Sequence, residues 1–473
     1  MNFKELKNYK KGKVHFIGIG GIGMSALAFI LRNENIAVQG SDMSENYLTP
    51  KLREKGVTYF VGHKKENVTD DVVLVVQTSI IKSDNPEILA AKEKGIEIIT
   101  RANLLAQVMA EKKGITIAGT HGKTSTTAMT SLVLEVGDLD PTVINGGIIH
   151  YFGCNSKSGK GDYLVAESDE SDASFVELPS FIGAITNIEP EHLEHSSYNG
   201  SFETQKSYFE RYIKQIPADG ACVICVDDKE SLSLYEKLKN DYKNLISYSI
   251  KVESNADLVA KNITMDMNGL SFDVDFKNGN MISDVKMPIY GLHNVSNALV
   301  AIAIGKFLNV SDEKIKKALS LFTGVKRRFT KVGEYNGVVI IDDYGHHPTE
   351  IKVVLETARA LCKGKVYTVF QPHKYSRVKA LFNEFCNAFS DCDTVIVSDV
   401  YSVGQPAIIG ATQDDLILGI EKNSNKNVIK LASEKDLAKA LKSRIRAGDM
   451  IVCFGAGTIT YWAQSLAEQL KNS

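Results

Sequence analysis

Residues 115–125 read ITIAGTHGKTS: an apolar, β-branched run breaks into Gly119-Thr120-His121-Gly122-Lys123-Thr124-Ser125 and continues as a helical stretch, Lys123–Glu135. A strand that ends in glycines at the start of a helix is where backbone N–H groups can cradle phosphate. In this reading Lys123 reaches the β- and γ-phosphates of a nucleotide and Thr124 takes a magnesium ion. A strict Walker A motif has glycine five positions before Gly122, where this chain has Ile117, so the loop is a shortened variant. The bland alternative is a plain strand–turn–helix with an exposed lysine. Gly-Lys-Thr-Ser is a poor opening for simple capping, which favours phosphate.

Working outward, a second glycine loop lies upstream. Gly18-Ile19-Gly20-Gly21-Ile22-Gly23 satisfies G-x-G-x-x-G between the strand Val14–Ile17 and a helix. Such a loop lets a pyrophosphate approach the helix N-terminus, and Asp42, after the strand Ala37–Gly40, stands where a ribose-reading carboxylate belongs. On the motif alone the default ligand is NAD(P), and a structural tight turn is the alternative. Downstream, Tyr163–Ala166 runs into Glu167-Ser168-Asp169-Glu170-Ser171-Asp172. That cluster is either a solvated loop or, beside a phosphate loop, a place where Glu167 faces magnesium. The apolar strand Phe181–Thr186 leads into Asn187-Ile188-Glu189-Pro190-Glu191-His192, and a neutral His192 beside Glu167 could complete a metal site.

Short Val/Ile-rich runs alternate with amphipathic segments along nearly the whole chain, the βαβ signature of parallel sheets flanked by helices. Further strands are expected at Val72–Gln77, Ile96–Ile99, Cys222–Val226, Val338–Ile341, Lys365–Phe370, Thr394–Val397, Asn427–Leu431 and Met450–Phe454. Between Leu258 and Phe276 the period drops to two residues around Asn268-Gly269, a hairpin signal, so the central sheet is expected to be mixed. At 473 residues the chain holds about three domains. The expected fold is α/β, with a Rossmann-like N-terminal domain over 1–109, a central P-loop-type ATPase with a mixed sheet over 110–324 and a Rossmann-like C-terminal domain over 325–473.

Composition excludes several functions. Lys and Arg number 55 against 57 Asp and Glu, a net charge of −2 without the basic footprint of general nucleic-acid binding. The longest apolar runs, such as Ala298–Ile304, fall far short of the ~20 residues of a membrane span. The opening MNFKELKNYKKGK lacks the apolar centre of a secretory signal. Seven cysteines, with Cys222 and Cys225 inside an apolar strand, read as buried thiols of a reducing cytoplasm.

Seven segments occur in one order: GTHGKT (119–124), AESDESDASF (166–175), TNIEPEH (186–192), GLHNVSNA (291–298), VKRRF (325–329), DDYGHHPTE (342–350) and FQPHKYSR (370–377). In all of them the chain resembles the Mur ligases, most closely the branch that adds L-alanine to UDP-N-acetylmuramate. The resemblance implies a three-domain enzyme that joins L-alanine to the lactyl carboxylate through an acyl phosphate, with ATP as co-substrate and two magnesium ions. It also implies closure of the C-terminal domain over the reacting groups. By the same resemblance Gly20, Gly21 and Gly23 lie under the UDP pyrophosphate, with Ser41 and Asp42 nearby. Lys123 and Thr124 serve ATP and magnesium within the loop Gly119–Ser125, Glu167 and His192 hold the metal, and Asn187 supports the site. His293, Asn294 and Asn297 border the adenine, while Arg328 and Asp343 reach the nucleotide. His346, His347, His373 and Arg377 line the alanine side. The chain departs from the family at Lys374, where Arg is frequent, and at Gln405, where Glu is frequent.

Three other functions compete. A tripeptide-adding recycling ligase shares the central motifs, but the fully glycine-rich Gly18–Gly23 loop favours the alanine-adding branch. A nicotinamide-dependent oxidoreductase leaves the second glycine loop unexplained. A non-catalytic UDP-sugar sensor would not need Lys123, Thr124, Glu167 and His192 intact.

Overall fold

The apolar runs become strands buried on both faces, as a parallel sheet covered by helices requires. In the computed structural model, which describes residues 2–8, 12–78, 81–266 and 268–472, they form three sheets. The chain divides into two compact units: Met1–Ile263, Ser271–Met287 and Val295–Thr323 in one, and Thr264–Leu270, Pro288–Asn294 and Gly324–Ser473 in the other.

The first sheet has the order Thr58–Val61, Ala37–Asp42, Lys13–Ile17, Val72–Gln77, Glu97–Thr100, and every neighbouring pair is parallel. The order reverses between Lys13–Ile17 and Val72–Gln77, so a crevice opens at their C-terminal ends, where the first glycine loop sits. The helix that follows, Ile22–Asn33, is buried along most of its length. One side covers this sheet, and the other shares a core with Ile144, Leu164, Ala166 and Leu178 of the second sheet's region. Asn155 locks that junction, donating from Nδ2 to the Ile22 carbonyl at 2.7 Å and to Ser25 Oγ at 3.2 Å.

The second sheet has ten strands in the order Met281–Met287, Gly269–Phe276, Leu258–Asp266, Leu245–Ser249, Ala221–Cys225, Ser180–Ile185, Lys113–Ala118, Tyr163–Glu167, Thr142–Ile149, Cys154–Lys157. Lys113–Ala118 is central and parallel to both neighbours, so the strands that end in the phosphate loop, the acidic segment and the Thr186–His192 segment lie side by side. Cys222 and Cys225 are buried in the strand Ala221–Cys225, and burial pushes both thiols up.

The third sheet is Thr330–Tyr335, antiparallel to Val338–Asp343, followed by Met450–Phe454, Val366–Phe370, Thr394–Val397 and Val428–Lys430, all parallel. The helix Pro348–Leu361 buries Ile351, Val354, Leu355 and Ala358, the face its periodicity indicates. Among the described residues no helix is long and apolar enough to cross a membrane.

One polar knot stands inside the first sheet's domain. Glu87 and His15 are fully buried. The Glu87 carboxylate accepts from His15 Nε2 at 3.3 Å, Ser41 Oγ at 2.6 Å and Asn67 Nδ2 at 2.6 Å. Gln39 Nε2 donates to His15 Nδ1 at 3.2 Å, which fixes the ring's other proton on the carboxylate side. Burial alone pushes the Glu87 carboxyl up, but the hydrogen bonds from His15, Ser41 and Asn67 outweigh it and hold the group below its ordinary value. Glu87→Ala leaves all these donors buried without an acceptor. Its expected cost is about 3–5 kcal/mol, the range for breaking a buried polar pair from one side. Urea unfolding of the two proteins measures it; a loss under about 1 kcal/mol would mean that water replaces the carboxylate.

Candidate active site

The loop after Lys113–Ala118 is shaped by positions that tolerate no side chain. Gly119 has φ +124°, and a Cβ there would lie 2.1 Å from Thr186 Oγ1. At Gly122, with φ +84°, a Cβ would lie 2.6 Å from Asn297 Oδ1, which also accepts from Thr126 Oγ1 at 3.0 Å. The Thr186–Glu189 segment clamps the loop from the neighbouring strand end. Asn187 Oδ1 accepts from the His121 N–H at 2.9 Å, and its carbonyl accepts from the Thr120 N–H at 3.1 Å. Thr186 Oγ1 donates to the His121 carbonyl at 2.6 Å, and the Glu189 N–H donates to Thr120 Oγ1 at 2.9 Å. Ser125 is half-buried in the first turn of the helix Lys123–Val136.

Two acidic groups surround this loop. Thr124 Oγ1 lies 3.0 Å from each oxygen of Glu167, and Glu167 Oε2 also accepts from the Gly146 N–H at 2.9 Å. An all-oxygen pair of hydroxyl and carboxylate suits a hard divalent cation such as magnesium. Lys123 Nζ forms an ion pair with the buried Glu170 at 2.7 Å and donates to the carbonyls of Gly119 and Thr120 at 2.7 and 2.9 Å. Burial alone would push the ammonium down, but Glu170, Asp169 and Glu167 outweigh it and keep it charged. Burial raises Asp169 as well, and Lys123 and Arg101 reverse that, holding the carboxyl below its ordinary value. His192 joins Glu170 and Glu191, all three offering ligand atoms within 4.8 Å of one another. The sequence pairs His192 with Glu167; the structure puts Glu170 and Glu191 around it, because Glu170 is buried against Lys123 at the end of the strand.

In the first domain the Gly20 N–H donates to Asp42 Oδ2 at 2.9 Å, and Asn46 Nδ2 donates to the Gly20 carbonyl at 2.9 Å. A Cβ on Gly20 would meet Asn46, Asp42 and Tyr59, and one on Gly21 would lie 3.3 Å from the Gly18 carbonyl. Ser41 stands beside the loop, its carbonyl accepting from the Gly18 and Ile19 N–H groups at 2.8 and 3.0 Å, while its buried hydroxyl donates to Glu87 and accepts from His63 Nδ1 at 2.9 Å within the polar knot.

The second unit gathers most of the residues expected on the amino-acid side. His346 and His373 have ring centroids 5.9 Å apart, and Tyr401 stacks on His373 at 5.8 Å and 14°. Arg377 Nη1 is 3.2 Å from His373 Nδ1, which must therefore accept. Burial, together with the charges of His346, Arg377, Lys374 and Arg327, lowers His373 to about 3. His347 plays a different local part, because its Nδ1 accepts from the Thr349 N–H at 3.3 Å and caps the helix Pro348–Leu361. Arg328 lies 3.7 Å from Glu350, and its guanidinium stands 5.5 Å from the Tyr344 ring centre. Of the three residues expected at the adenine, Asn297 borders Gly122 in the first unit, whereas His293 and Asn294 belong to the second. Burial, with Arg328 adding to it, lowers His293 to about 4, so its ring is neutral. The departures at 374 and 405 are local supports. Lys374 has φ +65°, and Gln405 Oε1 accepts from the Ser376 N–H at 3.1 Å, tying a loop to the helix that carries Arg377. Asn46, Glu170, Glu191 and Arg101 are the site-lining residues that motif reading passes over. Asn46, Glu170 and Arg101 act through partners distant in sequence, whereas Glu191 stands beside its neighbour His192.

Family models match nearly the whole chain: "Mur ligase family, catalytic domain" over residues 13–113, "Mur ligase middle domain" over 117–305 and "Mur ligase, glutamate ligase domain" over 327–457. A UDP-N-acetylmuramate–L-alanine ligase of Bradyrhizobium sp. (strain ORS 278) is 46% identical over 465 residues, covering 97% of this chain and 98% of that one. The crystal structure of the UDP-N-acetylmuramate–alanine ligase of Thermotoga maritima superposes with a TM-score of 0.81 at 28% identity, over 97% of this chain and 99% of that one. A murein peptide ligase of Psychrobacter arcticus shares the fold, with a TM-score of 0.74 at 24% identity over 98% of this chain and 99% of the other.

Asp343 gives the second unit a measurable signature. Its carboxylate accepts from the Phe329 and Gly345 N–H groups, both at 2.7 Å, yet burial outweighs these bonds and the charge of Arg328 and raises it to about 6. The folded state thus holds this proton more tightly than the unfolded chain does. Its contribution to stability is full below about pH 4 and is lost as the pH rises through about 6. The loss is about 3 kcal/mol. Urea unfolding across this range should show that Asp343→Asn removes this decline. Parallel wild-type and variant profiles would mean that Asp343 ionises normally.

Proposed function

The chain belongs to the Mur ligase family, and from that premise we propose that it joins L-alanine to the lactyl carboxylate of UDP-N-acetylmuramate, a cytoplasmic step of peptidoglycan precursor synthesis that converts ATP to ADP and phosphate. The observation that carries the reading is the phosphate loop: Lys123 is kept charged among carboxylates, while Thr124 and Glu167 stand 3.0 Å apart beside it. Relatives 46% identical over 97% of the chain, named as L-alanine ligases, favour alanine as acceptor over a peptide.

A carboxylate does not condense with an amine in neutral water, because its oxygen is a poor leaving group. The lactyl carboxylate is proposed to attack the γ-phosphorus of ATP, releasing ADP and forming an acyl phosphate. The alanine amine then adds to the carbonyl, loses a proton, and inorganic phosphate leaves with the bonding pair. Two anions must meet in the first step, so charge compensation dominates the catalysis asked of the protein. Lys123 supplies it at the transferred phosphoryl group, with the N–H groups of Gly119–Ser125 around the remaining phosphates. Magnesium, when bound, would neutralise phosphate charge; Thr124 and Glu167 are proposed as its oxygen ligands, and the His192 ring nitrogen with the Glu170 and Glu191 carboxylates as the ligands of a second ion. Asn187 holds the loop, and Asn297, His293 and Asn294 are assigned to the adenine. Gly20, Gly21, Gly23 and Asp42 are assigned to the UDP moiety.

Arg328 and Asp343 are assigned to the nucleotide. On the amino-acid side, Arg377 is suited to the alanine carboxylate, and His346 with the neutral His373 to orienting the acceptor. The proposed functional segments are 1–109 for the UDP-sugar, 110–324 for ATP and 325–473 for the amino acid.

Lys123→Ala should abolish phosphate release in the presence of UDP-N-acetylmuramate and alanine; it also leaves the buried Glu170 without its cation and lowers the melting temperature, so circular dichroism at the assay temperature checks that the variant is folded. Loss of a charge contact made in the transition state costs about 3–4 kcal/mol or more, several hundredfold in kcat. Activity within tenfold of wild type would take the loop out of the chemistry.

The acceptor is tested by kcat/KM for L-alanine, glycine, L-serine and an alanyl-glutamyl tripeptide under one set of conditions. A pocket fitted to one methyl group gains about 1–3 kcal/mol, so alanine should exceed glycine by roughly 10–200-fold, with serine a slower substitute. A preference for the tripeptide would move the protein to the recycling branch.

A further inference from the structure

Arg101 lies in an arrangement that ordinary helix electrostatics disfavours. It is the first residue of the helix Arg101–Met109, where the dipole is positive and a cation is unwelcome. Its side chain also crosses the start of a second helix, Ile22–Asn33. A Cβ placed on Gly23 would lie 3.2 Å from Arg101 Cδ, 3.5 Å from Nη1 and 3.7 Å from Nε. That second helix has no side-chain cap at Gly21 and no acidic residue in its first turn. Two helix N-termini and a guanidinium thus converge on the first glycine loop. Among the described residues the half-buried guanidinium forms no ion pair and donates no hydrogen bond, and Asp169 feels its charge only through space. The nearest negative charge of the loop, Asp42, is taken up by the N–H groups of Gly20 and Met43.

We infer that Arg101 is a binding residue for the diphosphate of the UDP-sugar, reaching the glycine loop at Gly23. This rests on the proposed UDP-sugar reading of that loop. A Cβ at Gly23 would require the arginine stem to give by a few tenths of an ångström. A planar guanidinium can take two phosphate oxygens at once, which the bare loop N–H groups cannot do from that side. A cation between two positive helix ends, without a directly bonded anion, is locally costly, and a doubly charged diphosphate removes the cost when it binds.

The test compares wild type, Arg101→Ala and Arg101→Lys by calorimetry with UDP-N-acetylmuramate, with UDP and with ATP, and by steady-state kinetics. Arg101→Ala should weaken UDP-N-acetylmuramate and UDP alike, by tenfold to about a hundredfold, the worth of a charged hydrogen bond. ATP affinity should stay within about twofold and kcat at saturating UDP-sugar should fall little, because the contact is made in ground and transition states alike. Arg101→Lys should recover part of the loss, since it restores the charge but not the bidentate geometry. Unchanged affinity for both uridine nucleotides would overturn the assignment, as would equal losses for ATP and the UDP-sugar, which would mark a structural role. If wild type itself binds no UDP compound, the UDP-sugar reading of the loop falls, and the inference with it.

Discussion

The buried ammonium of Lys123 sets the terms for the central part of the molecule. Taking a lone charge out of water costs several kcal/mol, and an isolated lysine at such a position would give up its proton. Here Glu170 sits 2.7 Å away, Asp169 and Glu167 add their charges, and the carbonyls of Gly119 and Thr120 accept the remaining protons. That environment exists only because Tyr163–Glu167 pairs in parallel with Lys113–Ala118, bringing the acidic segment to the mouth of the phosphate loop. The opposite neighbour, Ser180–Ile185, brings Thr186 and Asn187 to clamp the loop's backbone. One sheet register thus fixes charge on one side and shape on the other.

The second unit handles charge in the reverse way. His293 and His373 are half-buried and neutral, and the Asp343 carboxyl is pushed up to about 6. Arginines 327, 328 and 377 supply the permanent positive charge, with Tyr344 beneath two of them. Neutral rings among fixed cations suit a site that receives an anionic carboxylate together with an amine that must be uncharged to react. The unit therefore discourages a second proton on His293 and His373.

Much of this is legible in the sequence, for identifiable reasons. Val72–Gln77, Thr394–Val397 and Met450–Phe454 have the bounds their composition predicts, because strands buried on both faces are continuous apolar runs. The edge strands Thr58–Val61, Met281–Met287 and Thr330–Tyr335 carry no such signal. They expose much of their length, so their composition is close to that of loops. Thr142–Ile149 is hidden by Gly146 and Gly147 in its middle, where a Cβ on Gly146 would strike Glu167. Side-chain direction is the other blind spot. Ser41 is the penultimate residue of the strand Ala37–Asp42, beside the glycine loop, yet its hydroxyl turns inward to a glutamate 46 residues away. Arg101 reads as an ordinary first residue of a helix, and only the fold reveals its path across Gly23.

The strand Ala221–Cys225 has a consequence for the chemistry of its sulfurs. In a turn, two cysteines separated by two residues can close a disulfide. On a strand, positions three apart point to opposite faces, and here Cys222 lies toward Tyr212 while Cys225 lies toward Tyr248. The sheet itself stands between the two thiols, and burial keeps them protonated. Oxidants and alkylating reagents therefore meet a spacing that is a redox switch in a loop and an inert pair of small apolar side chains here, so the strand survives conditions under which an exposed C-x-x-C would lock.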